Sequence, residues 1–257
     1  MKIKHINVLT AVILGLLFCA VNVLLLNKFY NEKNEANKNY TSITASSILN
    51  KATIELSLER SVTQATLSLS TPISDDFKTL LLSQRVKSEE GFDKVYDLVK
   101  SSNLIDRKNE FLDALKSLRK KINQVRIIAD RELAIPKEGR TAKNISDLPD
   151  TMKSTITSFS NLSIKLISED SYIPPFVSKL KEIQSLAWSI REFGGRERTY
   201  LAVASATGEK IHNDLLIIMA NYHKKAENAM DRIELIAGSS SIEHSIKDKI
   251  NNLITFN

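Results

Sequence analysis

Long stretches without glycine or proline most constrain how this chain can fold. The 257 residues contain 7 glycines and 5 prolines, and most of these fall where helical periodicity stops. Between them, apolar residues recur every three or four positions, as at Phe111, Leu115, Leu118, Ile122 and Val125. That spacing gives an α-helix one apolar face. We therefore predict an all-α fold, with the long helices packed as an antiparallel up-and-down helical bundle.

The breaks in periodicity predict six long helices and a short last one. Pro72 ends the first helix, and Ser74 can cap the second. The predicted ranges run from the N-terminus to about residue 69, then 75–100, 104–133, 150–168, 176–206, 209–237 and 242–254. Pro136, Gly139 and Pro149 make residues 135–149 the longest predicted loop.

The N-terminus predicts a membrane anchor. Lys2 and Lys4 precede an apolar run from Val8 to Leu26. About twenty apolar residues span a bilayer as a helix, and this exceeds the apolar part of a cleaved signal peptide. We expect residues 7–27 to form a single-pass signal anchor in a bacterial inner membrane. Residues 1–6 are expected in the cytoplasm, because positive charge is retained there.

The remaining chain is then expected outside the membrane. Residues 28–238 would form a periplasmic or otherwise extracytoplasmic helical bundle, and residues 239–257 a C-terminal stem helix. We expect no output domain in this chain, which ends at Asn257.

A faint internal repeat suggests duplicated halves. Glu59-Arg60-Ser61 overlies Glu197-Arg198-Thr199, and the alignment continues without a gap through the next turn. Chance similarity between two amphipathic hairpins would also explain the match. If the duplication is real, the bundle consists of two stacked or duplicated four-helix units, each with an arginine at a matching height.

The residues that most enzymes require are missing from the sequence. The chain has four histidines, none with a second ligand at metal spacing, and its one cysteine is Cys19. It has no glycine-rich phosphate loop, and its carboxylates lie in mixed-charge stretches that are typical of solvated helix faces. We predict no enzyme, no catalytic residues, no metal and no cofactor. The interspersed charges behind the net charge of +6 also argue against a nucleic-acid partner.

Arg60 lies near the apolar side of the first helix, between Leu56 and Leu67. A charged side chain is rarely buried unless it is paired. Arg60 could extend to solvent, or pair with Glu59 or Glu55. Alternatively, its guanidinium points into a pocket and binds an anion through two parallel hydrogen bonds.

The segment from Arg191 to Arg198 is the most unusual in the chain. Gly194 and Gly195 interrupt a helical pattern, at a cost of about 1 kcal/mol each relative to alanine. Such a cost is tolerated where a backbone or a ligand must come close. The segment is therefore either a hinge or tight helix contact, or a basic pocket formed by Arg191, Arg196 and Arg198 over the two glycines.

At Glu59-Arg60 and at Gly194-Gly195-Arg196-Glu197-Arg198 the chain resembles the nitrate- and nitrite-sensing domains of bacterial receptors. Ser61 stands where that family usually has glycine. The resemblance implies an all-helical sensory bundle over about residues 45–235, a homodimer, and an anion held between helices by arginines at positions 60, 196 and 198. The generic four-helix ligand domain of chemotaxis receptors fits the anchor and the helix lengths nearly as well.

Two functions follow from these patterns. The first is an extracytoplasmic sensory module that binds a small ligand, such as the oxyanions nitrate or nitrite, and signals by helix shifts. The second is a membrane-anchored helical scaffold that docks partners and binds no small molecule.

Overall fold

The computed structural model describes the backbone of residues 2–103, 105, 107–168 and 175–238. Side chains are described over the same ranges except at residues 2–20, 168, 175–177 and 206. Every regular element in these ranges is helical. The elements are α1 (Lys2–Ser68), α2 (Asp75–Ser101), α3 (Lys108–Leu133), a 3-10 turn (Lys137–Gly139), α4 (Ala142–Ser168), α5 (Pro175–Thr207) and α6 (Asn213–Gly238). The all-α prediction is confirmed.

Helices α1 to α4 form an antiparallel four-helix bundle around one core. Its apolar centre includes Leu56 of α1, Phe92 of α2, Leu115 of α3 and Phe159 of α4, all shielded from solvent. The rings of Phe92 and Phe159 stack with centroids 4.6 Å apart. The spacing of apolar residues gives each helix one apolar stripe. Burying these stripes against one another stabilises the bundle.

Helices α5 and α6 form an antiparallel hairpin that packs against the bundle. Helix α5 packs along α1, and α6 packs on α5. The interface between α5 and α6 has its own small apolar cluster, centred on Ile233 and Ala237. The described chain therefore contains one four-helix unit and one hairpin. A second four-helix unit is not formed within the described ranges.

The two halves of the proposed repeat lie side by side. Ser57 and Ser61 of α1 contact Glu192 and Thr199 of α5 in the same order along the chain, so α1 and α5 are parallel. The hydroxyls of Ser61 and Thr199, which are equivalent in the repeat, are 2.8 Å apart. The hairpins α1–α2 and α5–α6 therefore have matching orientations, as a duplication would require.

Most predicted helix ends agree with the structure, but the loop predicted over residues 135–149 is wrong. Helix α4 begins at Ala142 and includes Pro149 in its interior. An interior proline costs about 3 kcal/mol because it removes a backbone donor and crowds the preceding turn. Leu148 and Met152 are buried in the core on either side of Pro149, and this packing holds the helix together.

Buried polar groups of α3 and the connecting loop fix where α4 begins. The carboxylate of Glu132 accepts hydrogen bonds from the backbone of Thr141 at 2.8 Å and from Asn144 Nδ2 at 2.6 Å. The guanidinium of Arg140 donates to six backbone carbonyls near the C-termini of α1 and α3. These belong to Thr66, Leu67, Leu69, Thr71, Glu132 and Ile135. Arg140 therefore caps two helices that would otherwise leave carbonyls unpaired.

Other predicted features fall at the ends of the chain. Helix α1 is continuous through residues 7–27, of which the side chains up to residue 20 lie outside the described part of the structure. Among the described residues, no helix has a segment that is both long and apolar enough to cross a bilayer. The predicted last helix, 242–254, also lies outside the described residues.

Candidate ligand-binding cavity

Two adjacent residues of α1 carry opposite charges into the interior. Glu59 is 0% exposed and Arg60 is 3% exposed. Successive residues of a helix point about 100° apart, so the two side chains face different neighbours. Glu59 faces α2 and α3, and Arg60 faces α5. The prediction that carboxylates lie on solvated faces is wrong for Glu59, because α1 is covered by other helices on several sides at this height.

Glu59 is the centre of a buried ion-pair network, which we call the Glu59 cluster. Its Oε1 accepts from Arg85 Nε at 2.8 Å, and its Oε2 accepts from Arg126 Nη2 at 2.8 Å. Arg85 also binds both carboxylate oxygens of Asp130, at 2.7 and 2.8 Å. Arg126 donates in turn to Glu89. Each charge is paired and hydrogen-bonded, which is the condition for burying an ion at tolerable cost. The cluster therefore joins α1, α2 and α3.

Arg60 belongs to a separate cluster with Glu192 and Arg196, which we call the Arg60 cluster. Glu192 Oε1 accepts from Arg60 Nη1 at 2.8 Å, and from Arg196 Nε and Nη2, also at 2.8 Å. Glu192 Oε2 accepts from Ser57 Oγ at 3.1 Å. Burial by itself would raise the pKa of the Glu192 carboxyl. The two guanidinium groups outweigh that effect and hold the pKa below its usual range.

A cavity of about 200 Å³ lies beside the Arg60 cluster, between α1, α4, α5 and α6. Arg60 and Arg196 reach it from one side and Lys153 from another, and the tyrosines 200 and 222 form an aromatic wall. Asp150 also lines it. With Glu192 included, the surroundings carry one positive charge in excess.

The aromatic wall is organised around Arg196. Its guanidinium carbon lies 5.4 Å from the ring centroid of Phe193 and 5.5 Å from that of Tyr222. Tyr200 and Tyr222 stack with centroids 6.3 Å apart and near-parallel planes. Burial, together with the interaction with Tyr222, raises the pKa of Tyr200. Its hydroxyl therefore stays protonated at neutral pH and can donate a hydrogen bond at the edge of the cavity.

The cavity has the donors that an anion requires. A guanidinium carries five N–H groups, and Arg60 donates through Nη1 to Glu192. No other hydrogen-bond partner of Arg60 occurs within the described residues. At about 30 Å³ per water molecule, the cavity has room for roughly seven waters, or for a small anion with part of its hydration shell.

The structure brings together some of the predicted site residues and separates others. Arg60 and Arg196 line the same cavity. Arg191 and Arg198 are exposed and do not line it, although Arg198 Nη1 lies 3.8 Å from where a Cβ on Gly194 would be. The prediction that Arg60 extends to solvent or pairs with Glu59 or Glu55 is wrong, since its partner is Glu192 on another helix.

The two glycines of α5 are not sites of close approach. A Cβ added at Gly195 would meet no neighbouring atom within 4 Å, so no tight helix contact requires glycine there. The close approach occurs instead at Gly91 of α2, where a Cβ would lie 2.7 Å from the Cβ of Ala52 on α1.

The sequence reasoning missed several residues of the site. Glu192 could have been found, because it lies four residues before Arg196 and side chains at that spacing meet on a helix. Lys153, Asp150 and Tyr222 gave no local signal, because only the packing of α4 and α6 brings them to Arg60. Within the described ranges, no group of His, Cys, Asp or Glu side chains is arranged to hold a metal ion.

Comparison of the chain with protein-family models, with curated proteins and with solved structures finds no match.

Proposed function

We propose that this chain is the extracytoplasmic sensory module of a membrane receptor, and that the cavity beside Arg60 binds a small oxyanion of the nitrate or nitrite type. The observation that carries the proposal is the Arg60 guanidinium, which is buried at the wall of a cavity and has N–H groups beyond the one that Glu192 accepts. Guanidinium groups suit planar oxyanions because their donors form a rigid fork.

The cavity offers a route from binding to signalling. Its walls come from α1, α4, α5 and α6, so a ligand held there contacts both the four-helix bundle and the hairpin. A ligand shifts a conformational equilibrium by the difference in its affinity for the two states. An anion bound to the remaining N–H groups of Arg60 would share the guanidinium with Glu192, and we propose that it thereby changes how α5 packs on α1. Helix α1 is continuous from this site back to the proposed membrane anchor, residues 7–27.

A melting-temperature titration tests the proposal. The full chain, purified in a mild detergent, is titrated with sodium nitrate and sodium nitrite, with sodium chloride at matched ionic strength as the reference. A ligand that binds the folded state stabilises it by about 2.7 kcal/mol at one hundred times its Kd, so the melting temperature must rise and then follow the logarithm of concentration.

Two arginine variants make the test specific. Arg60→Ala is expected to abolish the shift, whereas Arg198→Ala is the matched control and should retain it, because Arg198 is exposed and does not line the cavity. A shift of equal size with chloride, or one that persists in folded Arg60→Ala, would remove the oxyanion proposal.

One observation favours the scaffold function instead. Glu192 already accepts hydrogen bonds from both Arg60 and Arg196, and such pairing is what a purely structural ion cluster in the interior requires. In that case no anion would shift the melting temperature, and Arg60→Ala would lower the stability of the protein without changing any ligand response.

A further inference from the structure

A second cavity lies between α1, α4 and α5, nearer to the N-terminus of α5 than the Arg60 cluster. Its volume is about 240 Å³, and it shares no lining residue with the cavity beside Arg60. Along α5, its Trp188 precedes Arg196 by eight residues, which corresponds to about 12 Å of helix. The two cavities are therefore separate sites on the same three helices.

Small side chains create this second cavity. The buried serines 46, 160 and 163 occupy positions where α1 and α4 face α5. Trp188 and the isoleucines 164 and 167 form apolar walls. Ile164 is 46% exposed, although it lies next to the core, so its side chain is available at the mouth of the cavity. A mostly apolar recess with a few polar groups is the usual form of a small-molecule site.

The serines that line this cavity differ in their hydrogen bonds. Ser163 Oγ donates to Asn50 Oδ1 at 2.6 Å, so Ser46 Oγ must be the donor in its 3.1 Å contact with Ser163. Ser160 lines the cavity and is 6% exposed, yet it has no hydrogen-bond partner among the described residues. Because Ser160 lines the cavity, its hydroxyl is available to pair with a polar group of a molecule bound there.

The charged residues at the rim already have partners. Lys181 donates to the backbone carbonyl of Ile167, and Glu182 accepts from Arg232 Nε at 2.7 Å. Lys181 and Glu182 have opposite charges, so the lining of this otherwise apolar recess carries no net charge that would attract an ion. The chemistry of this cavity thus differs from that of the Arg60 cavity, where cations are in excess.

From these observations we propose that the second cavity binds a neutral, one-ring aromatic molecule with a hydroxyl group. The ring would pack against Trp188 and the isoleucines, and the hydroxyl would pair with Ser160. The volume is suitable, because a cavity of about 150 Å³ already accommodates benzene. This site does not depend on the oxyanion proposal.

The single tryptophan of the chain gives a direct measurement, because Trp188 lines this cavity and not the one beside Arg60. The full chain in mild detergent is titrated with benzyl alcohol while the tryptophan emission is recorded. We expect a saturable change with half-saturation on the order of millimolar, which is typical of a ligand with so few atoms. Emission that changes only in proportion to concentration, without saturation, would overturn the proposal.

Variants on both sides of the cavity locate the site. Ser160→Leu fills the cavity and should abolish saturation. Because a core substitution can impair folding, Ser185→Phe at the exposed rim provides a second block. Ala187→Phe is its matched control, since Ala187 is exposed on the same helix but does not line the cavity. Saturation that is unchanged in folded Ser185→Phe would overturn the proposal.

Arg60→Ala should bind benzyl alcohol like the wild type, so the oxyanion proposal and the proposal for the second cavity can fail separately.

Discussion

Neighbouring charges at Glu59 and Arg60 stabilise the molecule in different ways. Glu59 is enclosed by cations on two helices and lines neither the cavity beside Arg60 nor the second cavity. Arg60 has one carboxylate partner and faces a cavity. A fully paired network is suited to fixing the helix packing, whereas a partly used donor beside a cavity is suited to binding.

Replacing Glu59 should therefore be severely destabilising. In Glu59→Gln the size of the side chain is kept, but Arg85 and Arg126 lose a buried counter-charge. Breaking a buried pair from one side costs about 3–5 kcal/mol. Glu90→Gln is the control, because Glu90 belongs to an exposed pair with Lys94 that is worth about 0–1 kcal/mol. Urea unfolding measures both values, and equal losses in the two variants would contradict the structural role of the Glu59 cluster.

The lowered pKa of Glu192 predicts how stability depends on pH. Because its folded-state pKa lies below the ordinary value of 4.5, the unfolded chain binds more protons between the two values. The contribution of Glu192 is thus complete above about pH 4.5 and is lost as the pH falls through the folded-state pKa.

Glu192→Gln cannot lose a charge on acidification, so its unfolding free energy should fall less steeply than that of the wild type below about pH 4.5. Urea unfolding at a series of pH values between about 3 and 7 compares the two proteins. A difference that stays constant across the whole series would mean that Glu192 is not held ionised by Arg60 and Arg196.

At the scale of the element, two helical glycines should respond to alanine with opposite signs. Gly91→Ala gains helix propensity, but its Cβ would lie 2.7 Å from Ala52 Cβ, and such overpacking costs about 1–3 kcal/mol. Gly195→Ala meets no atom within 4 Å and should stabilise the protein by up to about 1 kcal/mol. Thermal unfolding of each variant gives the sign. The double variant Ala52→Gly with Gly91→Ala should recover part of the loss, and no recovery would place the strain elsewhere.

Helix ends show how far the sequence could be interpreted. Pro72 and Gly208 predict helix ends through chemistry that acts locally, and α1 and α5 do end nearby, at Ser68 and Thr207. Pro149 has the same local chemistry, yet it lies inside α4, because burial of Leu148 and Met152 outweighs its cost. A helix boundary that depends on packing across the bundle cannot be predicted from the residues next to it in the sequence.

The candidate site, like the helix ends, could be predicted only in part from the sequence. The position of Arg60 near an apolar stripe leaves two possibilities open, a side chain that extends to solvent or pairs locally and one that turns inward, and the structure buries it. Arg191 and Arg198 were equally plausible as site residues, yet both are exposed. The position of a residue on a helix does not specify which side of that helix its neighbours cover. The partners Lys153 and Tyr222 come from helices distant in sequence.

Over the whole molecule, the two structural parts bury very different amounts of apolar surface. The four-helix bundle has a continuous core that extends through α1, α2, α3 and α4. Between α5 and α6 the buried cluster consists of Ile233 and Ala237, with a few partly buried neighbours from α5. Large side chains such as Ile217 and Leu235 of α6 remain exposed. The hairpin is thus held less strongly than the bundle on which it packs.

This difference predicts the order in which the molecule opens. Helix α6 has nearly the same length as α2, 26 against 27 residues, but packs mainly on α5, whereas α2 packs on α1 and α3. Local opening requires less free energy where fewer apolar contacts must be broken. Amide hydrogens of α6 should therefore exchange by local opening, at rates well above those of α2, which should approach the rate of global unfolding. Hydrogen exchange followed by mass spectrometry on the full chain measures both helices at once. Equal protection in α6 and α2 would mean that hairpin and bundle unfold as one cooperative unit, and that the Arg60 cluster couples them more strongly than the small apolar interface indicates.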